Sequence, residues 1–158
     1  MDGMKTWQAL YGMIWIVLVE FLLAMTPGGG PVLIYAHMAL GVGIIALAWM
    51  NFDGIRRTKA PARPKRIAKS TFQLSVSMGI LGVLLAGRIG ADWGLFGITV
   101  HGIILLFHVV TAFAIITQAA ATAIAYDMWE EREFEKDSEP GSVPEHPMAA
   151  QRRPAAKP

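Results

Sequence analysis

Residues Gly94 to Tyr126 read GLFGITVHGIILLFHVVTAFAIITQAAATAIAY. This apolar run is long enough to cross a bilayer, and it carries two histidines, His101 and His108. Seven residues are two helical turns, so both imidazoles fall on nearly one face, roughly 10 Å apart along the axis. Ionisable side chains inside such helices usually face other helices rather than lipid. The remainder of the chain therefore has to supply partners for these histidines.

Three more apolar blocks do so. With 158 residues, 54% of them hydrophobic and gathered in runs, the chain reads as an all-α integral membrane protein rather than a soluble domain. The absence of cysteine excludes disulfides, thiolate chemistry, iron–sulfur clusters, Cys-ligated zinc and covalent c-type haem. No phosphate-binding loop or nucleophile elbow is present, and TPGGGP at 26–31 is too short for a phosphate cradle.

The spans are expected at about 6–25, 31–51, 71–89 and 95–126. The first contains Glu20 and lacks a clear cleavage site after its apolar run, so it reads as a retained helix and not a signal peptide. Pro31 opens the second at a favourable first-turn position, and Trp49 suits a membrane interface. Between the second and third lies NFDGIRRTKAPARPKRIAKS, read as a polar loop holding Arg56, Arg57, Lys59, Arg63, Lys65, Arg66 and Lys69. Such a loop is a topology signal before it is a nucleic-acid signal, and it also suits anionic lipid headgroups.

In the third span Ser75, Gly79, Gly82 and Ala86 form one face of small residues, which permits close helix approach or leaves room for a flat cofactor. The short turn 90–94 follows. Asp127-Met128-Trp129-Glu130 begins a charged helical extension, and 137–158 has the Pro, Ala, Ser and charge content of a disordered tail in which His146 is a solvated side chain. The expected architecture is an up-down-up-down four-helix bundle over 1–136, in a plasma or inner membrane, with both termini cytoplasmic.

Counting about 1.5 Å per residue from each outer turn places Glu20 and His37 roughly 9 Å deep and His101 roughly 10 Å deep. Three ionisable groups from three helices thus share a level, with Arg88 near the interface above them and His108 about 10 Å deeper. Two axial histidines on separate helices at one depth suit a b-type haem, with His37 and His101 as ligands and Arg88 toward the propionates. Glu20 would accept a hydrogen bond from a ligand imidazole or from a quinol. His108 is left to bond a neighbouring helix, to lie near a quinone or proton path, or to bind a second haem with Met13 or Met78. Alternatives stay open: a chlorophyll magnesium on His37 or His101, a carboxylate-plus-two-histidine metal site from Glu20, His37 and His101, a proton relay, or helix-pairing polar groups of a structural or assembly subunit.

The settings YAHMALG around His37 and VHGIILLFHVV around His101 and His108 resemble small four-helix membrane b-type cytochromes, the haem-bearing anchor subunits of respiratory complexes. The resemblance covers the bundle, roughly 7–126. It implies haem b, electron exchange with a quinone, and partner subunits of a quinone-linked oxidoreductase.

Overall fold

The computed structural model describes residues 3–26 and 30–138, so the tail expected at 137–158 lies almost wholly outside the described residues. Four helices dominate: α1 (Gly3–Ala24), α2 (Pro31–Arg56), α3 (Ala62–Ala86) and α4 (Val100–Ser138). Each is long and apolar enough to cross a membrane. A two-stranded hairpin, β1 (Gly94–Leu95) and β2 (Ile98–Thr99), precedes α4.

Two helices run further than hydropathy implies. The polar loop expected from Asn51 to Ser70 is reduced to 57–61, because α2 continues to Arg56 and α3 starts at Ala62. Asp53 sits one turn before Arg56 and Arg57 and pairs with both guanidinium groups at 2.7 Å, which favours the helical register. Ile55 is fully buried, so the last turn of α2 also contributes to the core. The connection is tied by the Thr58 hydroxyl, which donates to the Ile55 carbonyl at 2.7 Å, and by Lys65 Nζ, which donates to the Thr58 carbonyl at 2.7 Å. Arg56, Arg63, Lys65, Arg66 and Lys69 therefore stand on the helices, and only Arg57 and Lys59 of the seven lie in the short connection.

The far end of α3 closes with a tight cap. Ile89 N–H bonds the Leu84 carbonyl at 3.0 Å and Arg88 N–H bonds that of Leu85 at 2.9 Å. This is the Schellman pattern, which needs a left-handed residue at the position Arg88 fills, with φ of 54°. In the hairpin Gly94 pairs with Thr99 and Leu95 with Ile98. Phe96 and Gly97 turn between them with φ of 54° and 81°, both positive as a two-residue hairpin of primed type requires.

All neighbouring helices are antiparallel. Asn51 near the end of α2 bonds the Ala9 carbonyl near the start of α1, and Thr71 of α3 meets Gln118 well along α4. Trp7 of α1 donates to Glu130 of α4, while Phe21 packs on Phe113. Helices α1–α2, α2–α3, α3–α4 and α4–α1 adjoin, so α2 faces α4 across a diagonal. The up-down-up-down bundle expected from the spans is the fold observed.

Its core is concentrated toward the basic end. Leu10, Ile55, Ala68, Ala123 and Tyr126 form one cluster there, and Met13, Val17, Ile44, Ala48, Met78, Ile115 and Ala119 form a second nearer mid-bundle. Gly54 lets α1 and α2 approach so closely that an added Cβ would stand 3.0 Å from Thr6 Oγ1. A cavity of about 10 Å³ lies between Asn51, Thr71 and Thr122, and Asn51 Oδ1 has no partner among the described residues.

Candidate functional site

Beyond the second apolar cluster, toward the hairpin end, the bundle interior becomes polar. Glu20 projects from the last turns of α1 and is buried, with 7% of its surface exposed. Its carboxylate pairs with Nδ1 of His37 on α2. The His37 ring in turn faces that of His108 on α4, with centroids 6.1 Å apart and planes at 60°. The structure thus brings together Glu20, His37 and His108.

This corrects the depth reckoning. Counting α4 from Gly94 places His101 level with His37 and leaves His108 alone and deeper. The hairpin consumes 94–99, so α4 begins at Val100 and His101 occupies its first turn, while His108 lies roughly 12 Å in. His101 instead lies against the turn that closes α3: its backbone N–H bonds the Gly90 carbonyl at 3.2 Å. Arg88, two residues earlier, is exposed at that same end.

The seat of His108 was not legible as such in the sequence. Gly82 on α3 would, with a Cβ, meet His108 Cε1 at 3.4 Å and Nδ1 at 4.0 Å. Lack of a side chain at Gly82 admits the ring against the helix backbone. Gly79 serves the other neighbour, since its added Cβ would stand 2.9 Å from Ile45 Cδ1 of α2. The small face of α3 is therefore divided between α2 and α4, with Ser75 fully buried below it.

The dyad has a definite chemical sense. A carboxylate on Nδ1 keeps the proton of His37 on that nitrogen and leaves Nε2 as a free lone pair. Glu20 Oε1 and His108 Nδ1 have no hydrogen-bond partner among the described residues. Ring centroids about 6 Å apart are what two imidazoles would show with each nitrogen about 2 Å from one ion. The rings come from diagonal helices, and both are half-buried, with 39% of the His37 side chain exposed. Beside His37, Gly41 lies one turn on, and an added Cβ there or at Gly43 would have no atom within 4 Å. Two imidazoles so placed would, by donor chemistry, suit an iron porphyrin.

Other arrangements are not assembled. No group of three or more His, Asp or Glu side chains able to hold an ion occurs among the described residues, so Glu20, His37 and His101 do not converge as a facial metal set. Met13 and Met78 lie in the apolar core, and Met13 Sδ accepts from the Asn51 amide at 3.6 Å. Comparison with family models, curated proteins and solved structures found no match.

Proposed function

We propose that the chain is a membrane b-type cytochrome subunit that carries electrons between a quinone and a partner redox subunit, with His37 and His108 as the residues that would hold the haem. The observation that supports this is the pair of imidazoles from diagonal helices, 6.1 Å apart between centroids, one of them held by a buried carboxylate. Bound haem supplies a one-electron couple. Glu20 holds His37 in a single tautomer and raises its donor strength. The free oxygen Oε1 of Glu20 stands ready to take a proton from a quinol approaching the site. Arg88 and His101, at the hairpin end, offer cationic and hydrogen-bonding groups toward propionates.

The bundle would lie in the plasma or inner membrane with the Arg- and Lys-bearing helix ends on the cytoplasmic side, by the positive-inside rule. Both termini are then cytoplasmic and the hairpin faces outward.

The deciding experiment is the reduced-minus-oxidised spectrum of protein purified in mild detergent. A sharp alpha band is expected in wild type and in His101→Ala, and its loss in His37→Ala and His108→Ala. Loss in His101→Ala with retention in His108→Ala would restore the His37/His101 pair. Folded wild-type protein without pigment after expression in a haem-replete host would overturn the haem reading in favour of a structural or proton-relay role.

A further inference from the structure

On the outer surface of the bundle, α3 and α4 leave a groove of about 300 Å³ near the basic end, lined by Arg66, Ile67, Ser70, Thr117, Gln118 and Ala121. Two of these residues are poorly explained by the fold alone. Arg66 is exposed and forms no ion pair among the described residues, whereas Arg56 and Arg57 share Asp53. Gln118 lies within the apolar run of α4, eight residues short of Tyr126 and so roughly 12 Å inside it.

The hydrogen-bond count at Gln118 does not close within the protein. Gln118 Oε1 lies 3.1 Å from Thr71 Oγ1, yet that hydroxyl is also 2.9 Å from the Ile67 carbonyl, and it has one proton to give. If Thr71 donates to Ile67, the carboxamide can turn and donate one N–H to Thr71. In either orientation at least one Gln118 N–H faces the groove without an acceptor among the described residues. In hydrocarbon an unmet amide donor costs several kcal/mol. The groove therefore calls for a ligand with an oxygen acceptor at the depth of Gln118 and negative charge near Arg66.

We propose that this groove binds one anionic phospholipid, with its phosphate on Arg66 and an ester carbonyl accepting from Gln118, Ser70 standing beside it. Arg66 and Ser70 are one turn apart, about 6 Å along α3, a span that the glycerol of a phospholipid bridges between phosphate and ester carbonyl. The guanidinium presents forked donors to phosphate oxygens, a match that lysine does not offer. The acyl chains then continue over the exposed apolar flank of α4, where Phe113 and Val110 are more than half exposed. This site is independent of the haem reading, because its residues do not touch Glu20, His37 or His108.

The test is native mass spectrometry of the full chain in non-ionic detergent with added phosphatidylglycerol or phosphatidylcholine. Wild type is expected to retain one phosphatidylglycerol at least fivefold better than phosphatidylcholine. Arg66→Gln should erase that preference, Gln118→Leu should weaken both lipids, and Ala121→Trp should block the groove while helicity by circular dichroism stays at the wild-type level. Should Gln118→Leu not fold, Ala121→Trp and Arg66→Gln carry the test alone. Wild-type retention in both, or displacement of phosphatidylglycerol by an equimolar short-chain quinone, would overturn the proposal.

Discussion

His37 and His108 face one another across the diagonal of the bundle, 6.1 Å between ring centroids, although they stand 71 positions apart in the chain, 108 less 37. Glu20 backs the first ring and Gly82 seats the second, so each imidazole is positioned by a residue on a different helix. Four helices thus contribute one element each to the ionisable cluster at the hairpin end of the bundle.

Removing the carboxylate tests that support directly. Glu20→Gln keeps shape but offers a weaker acceptor to His37 Nδ1, so the ligand becomes a poorer donor. With haem bound, the midpoint potential should move positive by tens of millivolts while the alpha band persists. A potential that does not move would show that Glu20 only pairs helices.

Gly82 gives a graded steric probe. Alanine there meets His108 Cε1 at 3.4 Å, an adjustment of a few tenths of an ångström, and should leave the site intact. Leucine should drive the His108 ring from α3 and abolish the alpha band, with helicity by circular dichroism unchanged. Full pigment in Gly82→Leu would remove His108 from the ligand pair.

At Arg88 conformation and function pull apart. A left-handed residue with a Cβ costs roughly 1–2 kcal/mol, which glycine avoids. Arg88→Gly should therefore raise the thermal midpoint of the detergent-solubilised protein. If Arg88 contacts propionates, the same variant should release haem faster than wild type. A lowered midpoint would mean the guanidinium makes a stabilising contact.

Close approach of α1 and α2 can be measured at Gly54. An added methyl would stand 3.0 Å from the buried Thr6 hydroxyl, and neither helix can yield without disturbing Ile55 and Leu10 beside it. Gly54→Ala should destabilise the bundle by about 1–3 kcal/mol. An unchanged unfolding midpoint in denaturant would show that the helices separate freely there.

Hydropathy and residue spacing alone determined four apolar helices, their antiparallel order and the presence of buried ionisable groups, because a bilayer-length apolar run has few ways to satisfy its backbone other than as a helix. They also placed Glu20 and His37 together, since both were counted from the ends of one short connection. What the tertiary structure decided was which histidine joins them. Phe96-Gly97 is a weak hairpin signal beside the Asn-Gly or Asp-Gly that such turns favour, so the apolar run reads as helix from its start. Pairing of Gly94 with Thr99 moves the helix start to Val100, shifts every later residue outward by six residues, roughly 9 Å, and brings His108 to the level of His37. The ends of α2 and α3 were hidden for a related reason: charged residues look like loop until Asp53 is seen pairing with Arg56 and Arg57 and Ile55 is seen in the core. Helix identity is local, carried by composition over a few turns; helix register depends on what each end packs against, and that is set only in three dimensions.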